Sequence, residues 1–315
     1  EEKRKNVKRK YERSAMKKIL LLFCALWMMG TVGAETIENK VFIDAAYSGV
    51  TTIKVVQSVL PVSVVKTDGA QTKVECRVDY MDIREKNFSI QARKSGSTLE
   101  IYQTLRSVSI RRAQGYIRIE APADVRVVVV NGVAGDVSLQ GLRLEGSEVS
   151  SVSGCVSLVG VSADDLSVST VSGDMTLKGI TSNLAVVRTT SGNVSLADCT
   201  GNKIDVTTVS GDVLAKGSKT GVDFSLVGAS STSGNVCLFM GPKVRQTSIK
   251  SVSGDLRLYL KGDLKSHSYS LSGVSSEIEI SGVARASRRL ELNTSGNGVQ
   301  VRANAVSGNI YVGAW

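Results

Sequence analysis

"VSTVSGDMTLKGI", residues 168–180, sets a Ser-Gly-Asp step (Ser172, Gly173, Asp174) between two alternating apolar runs. Near-copies read "VSSVSGCVSLVGV" at 149–161, "VRTTSGNVSLADC" at 187–199, "VTTVSGDVLAKGS" at 206–218 and "IKSVSGDLRLYLK" at 249–261. The step glycines Gly135, Gly154, Gly173, Gly192 and Gly211 lie at four successive intervals of 19. The series continues at Gly234, Gly254, Gly273, Gly296 and Gly308, with intervals of 23, 20, 19, 23 and 12. A fixed period over more than three units marks a repeat architecture.

Within a unit the apolar residues recur every second position, the signature of a strand. Val137/Leu139, Val156/Leu158, Met175/Leu177, Val194/Leu196, Val236/Leu238 and Leu256/Leu258 follow their glycines by two and four. A second strand precedes the step, with Val149, Val168, Val187 and Val206 in one column. Equivalent residues at a constant interval predict coils stacked in register, each pairing with the next as parallel strands about 4.8 Å apart. At roughly 3.3 Å per residue, a 19-residue coil has a perimeter of roughly 60 Å and encloses a core one side chain deep from each wall. An antiparallel sandwich would not demand such strict register. The expected fold is all-β: a single-stranded parallel β-helix or β-solenoid over 126–315, with coils of about 19 residues set by the repeat period. The insertions around "KTGVDFSLVGAS" and "ARASRRLEL" predict loops bulging from one turn, and the short last interval predicts a truncated final coil.

Residues 35–125 read differently. "TTIKVVQ", "PVSVVKT", "TKVECRVDY", "FSIQAR", "TLEIYQ" and "GYIRIEAP" are strand-like runs without the period, and predict a less regular β region that caps the first coil. A cap is needed because a solenoid end exposes unpaired edges.

The segment before Glu35 is of another kind. Residues 1–15 precede Met16 and are read as upstream translation outside the fold. In 16–34, two lysines, an apolar run from Ile19 to Met29 and the small-residue triplet Val32-Gly33-Ala34 have the layout of a secretory signal peptide. The run is too short for a membrane span, which takes about 20 residues. The chain is therefore expected to be exported, to the periplasm, the outer surface or the medium, with no transmembrane span afterwards. Nine of the 39 basic and three of the 29 acidic residues lie in 1–34, leaving 30 and 26 and a net charge of +4 instead of +10. Nucleic-acid binding thereby loses its main support. Cys76, Cys155, Cys199 and Cys237 follow no metal spacing and are expected to be mostly free, buried thiols.

Three readings compete for the Ser-Gly-Asx column. A nucleophilic serine needs a base within hydrogen-bond reach, and the chain has one histidine, His267. A calcium ladder would need more than one ligand per coil. The column runs Asp136, Cys155, Asp174, Asn193, Asp212, Asn235, Asp255, so like charges alternate with amides that can donate to flanking carboxylates. That favours a structural turn ladder without metal. Gly135, Gly154, Gly173, Gly192, Gly211, Gly234 and Gly254 would accept positive φ, and the preceding Ser would add a hydroxyl bond. His267 is expected on the surface or in a turn. Asp164/Asp165, in a turn-like segment, and Glu277/Glu279 are expected on solvated faces. Arg285, Arg288 and Arg289 form the one candidate patch for an anionic partner. The aromatics of 126–315, namely Phe224, Phe239, Tyr259, Tyr269, Tyr311 and Trp315, are scattered in the sequence. No cofactor is expected.

Taken together, "VTTIKVVQSVLPVSVVKTDGAQTKVECRV", "GSTLEIYQ", "GYIRIEAPADVRVVVVNGVAGDVSLQGL" and the run "TVSGDMTLKGI", "TTSGNVSLADC", "TVSGDVLAKG" resemble the bacterial "putative adhesin" domain of unknown function found in exported proteins. The resemblance covers roughly residues 40–312. It implies a β-solenoid at the cell envelope and carries no catalytic residues. The expected function is a non-enzymatic binding or scaffold module with a surface glycan or protein as ligand. The alternatives are a polysaccharide-modifying enzyme on a β-helix, marked by acidic and basic residues clustered on one wall, and an envelope protein that self-associates end to end.

Overall fold

The structure is a computed structural model. It describes residues 36–83, 85–106, 110, 112–217, 221–294 and 298–315; the upstream segment and signal peptide, residues 1–34, lie outside the described residues. Seven strands come first: β1 (Ile37–Tyr47), β2 (Thr52–Val56), β3 (Val62–Lys66), β4 (Thr72–Met81), β5 (Phe88–Ser95), β6 (Thr98–Leu105) and β7 (Ala113–Ala121). The repeats supply β8 (Val127–Asn131), β9 (Val137–Gln140), β10 (Arg143–Ser151), β11 (Val156–Val159), β12 (Ser162–Thr170), β13 (Met175–Lys178), β14 (Thr181–Thr189), β15 (Val194–Ala197), β16 (Cys199–Thr207) and β17 (Val213–Ala215). The last third holds β18 (Val222–Ser231), β19 (Val236–Phe239), β20 (Gln246–Ser251), β21 (Leu256–Leu260), β22 (Ser268–Ile280), β23 (Ala284–Leu292), β24 (Gln300–Ser307) and β25 (Ile310–Ala314). Two single-turn 3₁₀ helices are the only helical segments among the described residues.

The 25 strands form one sheet wound into two facing walls. Val149 pairs with Val168, Val168 with Val187 and Val187 with Val206, all parallel, on the first wall. Leu139, Leu158, Leu177 and Leu196 align the same way on the second. The two columns face each other and are at most 3% exposed, so one side chain from each wall fills the interior. The architecture is a β-solenoid. Alternation produces it: in a strand, residues i and i+2 share a face, so Val, Leu and Ile turn inward while Ser, Thr and charged residues turn out.

The two ends depart from sequential stacking. β2 and β3 do not precede the coils; they pair in parallel with β8 and β9, and β6 and β7 pair with β2 and β3 on their other side. Strands from before and after residues 125 and 126 therefore belong to one sheet. Only β1, β4 and β5 add antiparallel edges. At the far end β24 lies between β20 and β22, and β25 between β21 and the end of β22. The C-terminal coil is thus neither truncated nor outermost. Its outer neighbour is β22, whose own edge is covered by β23 in antiparallel pairing. The "ARASRRLEL" insertion is this β23 strand and not a loop. The other insertion, "KTGVDFSLVGAS", falls on residues 219–220 outside the described residues and otherwise on Gly221 and strand β18, so its described part is likewise strand and not a loop.

Candidate functional site

One of the two corners between the walls is built on the repeated step. The N–H groups of Gly154, Gly173, Gly192, Gly211 and Gly234 donate to the hydroxyls of Ser151, Thr170, Thr189, Thr208 and Ser231, at 2.7–3.0 Å. The bonding hydroxyl is therefore buried and three residues before each glycine, not the adjacent serine, which is exposed. The glycines themselves do not take positive φ. They are required because a Cβ at Gly173, Gly192 or Gly211 would fall less than 3.0 Å from the carbonyl oxygen of the step glycine one coil before. Gly135 makes the same approach to the Leu60 carbonyl, and Gly154, Gly234 and Gly254 continue the column. Positive φ belongs to the opposite corner, at Gly141 (φ 69), Gly160 (φ 61), Gly179 (φ 63), Asp198 (φ 52) and Gly221 (φ 61).

Sequence order misassigns the top of this column. A Cβ at Gly308 would meet the Gly254 carbonyl, so Gly308 stacks on Gly254. Gly273 instead pairs with Ala305, in the hydroxyl column, and Gly296 lies outside the described residues.

The acidic and amide residues form a chain of bonds along the corner. Asp136 Oδ1 accepts the Cys155 N–H, Asp174 that of Asn193, Asn193 that of Asp212, and Asp212 that of Asn235, at 2.7–3.0 Å. Asn235, Asp255 and Asn309 carry the chain on to the N–H groups of Asp255, Asn309 and Glu277, each at 3.0 Å. The partner is the backbone of the next coil, which is why Asp and Asn interchange: both present an Oδ1 acceptor. An amide-to-carboxylate bond of the expected kind occurs at Asn235 Nδ2 and Asp212 Oδ1, at 3.4 Å. Among the described residues no three His, Cys, Asp or Glu side chains are grouped to hold a metal ion.

The other candidates scatter. Arg285 pairs with Glu279 at 2.8 Å and Arg289 with Glu291 at 2.6 Å, and each carboxylate holds its guanidinium charged by raising its pKa. Arg288 sits at φ 74 in the same strand. Two of the three arginines thus already have an anionic partner. Asp164 and Asp165 lie exposed within strand β12, not in a turn. Cys76 and Cys199 are buried, and burial pushes the Cys76 thiol up to about 12; Cys237 is half-buried and Cys155 exposed.

His267 is buried, not on the surface; its Nδ1 accepts the Val299 N–H at 3.0 Å. Burial lowers its pKa from 6.5, so the fold holds the neutral ring. The unfolded chain takes up a proton near 6.5, so this contribution to stability is complete above that pH and is lost as pH falls below it. The melting temperature is expected to fall between pH 7 and pH 5 more steeply in the native chain than in His267→Gln. Identical pH profiles would show that the ring does not contribute.

Stacking brings together what the sequence separates. Phe239 and Tyr259 occupy one outward column on β19 and β21, with rings stacked at 4.4 Å and 14°. Trp315 stands edge-on to Phe239 at 5.4 Å, and Tyr311 lies 5.9 Å from Tyr259. Four of the six aromatics therefore form one surface cluster. The signal was in the sequence: Phe239 and Tyr259 both follow their step glycines by five.

Beside the cluster, Asp255, Arg257, Glu277, Glu279, Arg285 and Tyr311 line an open cleft of about 610 Å³. Acidic and basic groups do share one wall here. Arg257 is 3.2 Å from Asp255 and Arg285 is bound to Glu279, so two of the three carboxylates are held as ion pairs in an open cleft. At the step corner itself Val209, Val252 and Val306, each two residues before a step glycine, and Val274, all exposed, rim an apolar groove of about 540 Å³ with Lys250 at its side.

This double-walled stack, with a buried hydroxyl and a close glycine at the step corner of five coils, can be set against known proteins. The family model described as Toastrack DUF4097 matches residues 50–238. The chain belongs to the Toastrack DUF4097 family. The Toastrack match begins at Val50, within the chain's N-terminal region, in keeping with β2 and β3 being part of the stack. No curated protein matches the chain. A Parabacteroides distasonis structure named "putative lipid binding protein" shares 15% identity and a TM-score of 0.53, covering 90% of this chain and 98% of its own. A "putative adhesin" from Parabacteroides merdae shares 12% identity and a TM-score of 0.51, covering 87% and 96%. At such identities the likeness to both is one of fold.

Proposed function

We propose that the chain is an exported, non-enzymatic, adhesin-like binding module of the cell envelope, built as a parallel β-helix with coils of about 19 residues. The observation that carries this reading is the strict register of the walls, which fixes outward side chains in straight columns. Binding then needs no moving part: columns of Ser, Thr, Lys, Arg and aromatic side chains are held at a spacing of about 4.8 Å. The Ser-Gly-Asx corner is the structural ladder that keeps this register, without metal and without catalysis. The leader at 16–34 would direct export, and the name of the Parabacteroides merdae neighbour agrees with a surface role.

The test is a screen of the full chain against glycans, extracellular-matrix proteins and lipid vesicles, with calcium and with chelator. Binding to a glycan or matrix protein, insensitive to chelator and without release of reducing sugar, is the expected result. No binding, or release of sugar from the bound glycan, would overturn the reading. A second reading, capture of an acyl chain, is favoured by the valine-rimmed groove and by the name of the Parabacteroides distasonis neighbour. Binding to vesicles alone would select it.

A further inference from the structure

We infer that the aromatic cluster of Phe239, Tyr259, Tyr311 and Trp315 is the binding platform, and that its ligand is an acidic oligosaccharide. This rests on the reading of the chain as a binding module and names its site and ligand class. The outward column that ends here is mixed in its first coils, Gln140, Val159, Lys178 and Ala197, and then turns to Lys216, Phe239 and Tyr259. An outward position needs no aromatic for packing, because the interior is already filled by the columns ending in Leu238, Leu258 and Val312. In the next coil the same position is Gly313, where a Cβ would fall 2.9 Å from the Tyr311 ring. Glycine there lets Tyr311 lean across toward Tyr259. The indole N–H of Trp315 donates to the Met240 carbonyl at 3.0 Å, which fixes the fourth ring. All four side chains are half-buried, so each keeps surface for a ligand.

The charges say which ligand. Lys216 lies over the Phe239 ring at 5.5 Å and Lys261 over Trp315 at 4.4 Å. Both are exposed, and neither forms an ion pair among the described residues. Two ammonium groups held by the rings thus bracket the platform. The apolar C–H faces of a sugar ring pack on aromatic side chains, and a carboxylate or sulfate on that sugar takes the lysines from the rings. Tyr311 also borders the neighbouring cleft, whose Arg257 and Arg285 are already paired with Asp255 and Glu279, so the acidic groups of the ligand are met by the two lysines on the platform. A wholly apolar ligand would leave both lysines unanswered.

Trp315 makes the site observable. The chain has two tryptophans, Trp27 and Trp315, so in the full chain carrying Trp27→Phe the emission reports on the platform alone. This chain is titrated with an oligogalacturonate, a heparin-derived oligosaccharide and a neutral cello-oligosaccharide. A saturable emission change with the oligogalacturonate would assign a carboxylated ligand; one with the heparin fragment would assign a sulfated one. The neutral chain is expected to bind at least about tenfold more weakly than whichever acidic chain binds. The exposed pair Lys216→Gln and Lys261→Gln should weaken acidic binding by about tenfold at unchanged melting temperature. Equal binding by the lysine variant, equal binding of the neutral chain, or no emission change with either acidic chain overturns the inference. If the platform is silent while the glycan screen is positive, the site assignment fails and the binding module stands. If the screen is negative as well, both fail.

Discussion

Replacing Gly192 with alanine is expected to cost about 3 kcal/mol or more, or to prevent folding. The added methyl would sit against the Gly173 carbonyl, a backbone atom that cannot rotate away as a side chain does. Relief would require separating two coils, and with them the bond that the Asn193 N–H donates to Asp174 Oδ1 across that gap. Gly160→Ala is the matched control. Its φ of 61° strains any L-residue, but nothing lies within 4 Å of the new methyl, so the cost there is about 1–2 kcal/mol. Urea denaturation of both variants decides. Equal losses would mean that left-handed backbone, and not close approach between coils, accounts for the glycine period.

A chain ending at Val299 is expected to lose more than its last coil. Residues 300–314 lie inside the stack, so their removal leaves β22 and β23 with no parallel neighbour. Val301, Ile310 and Val312 are each at most 2% exposed. At about 1.5–3 kcal/mol for each such side chain, burial of these three contributes about 5 kcal/mol or more. Amide exchange should show 268–292 unprotected in the shortened chain, while 137–207 stays as slow as in the full chain. Persistent protection of 268–292 would mean that β22 had closed onto β20 and that the inserted coil is dispensable.

The middle of this fold was legible because one interval recurs there. A residue that repeats every 19 positions with polar and apolar alternating on either side can only be read as stacked strands, and Val168 and Leu177 fall where that reading puts them. The ends were not legible, because chain order and spatial order part company. Gly308 stacks on Gly254 although β22 and β23 intervene in the chain, and nothing local in "AVSGNI" says so. The reason for the glycine was misread for a related cause. Sequence shows a small residue in a turn, whereas the constraint comes from a carbonyl one coil away. The aromatic cluster escaped because its members lie 20, 52 and 4 positions apart, from Phe239 to Tyr259 to Tyr311 to Trp315, distances that become neighbours only once the coil order is known. The buried His267 had no signal in "LKSHSYS".

The inserted C-terminal coil also has a mechanical meaning. A solenoid whose last coil is its chain end can be peeled, one hydrogen bond at a time, by tension on that end. Here tension on Trp315 loads β25 where it is bonded to β21 on one side and β22 on the other, and both ladders resist together along their length. At the other end β1, the first strand among the described residues, is bonded along one side only, to β4, so a pull there meets a single ladder. Tension on the last strand is by contrast shared between two ladders instead of opening one.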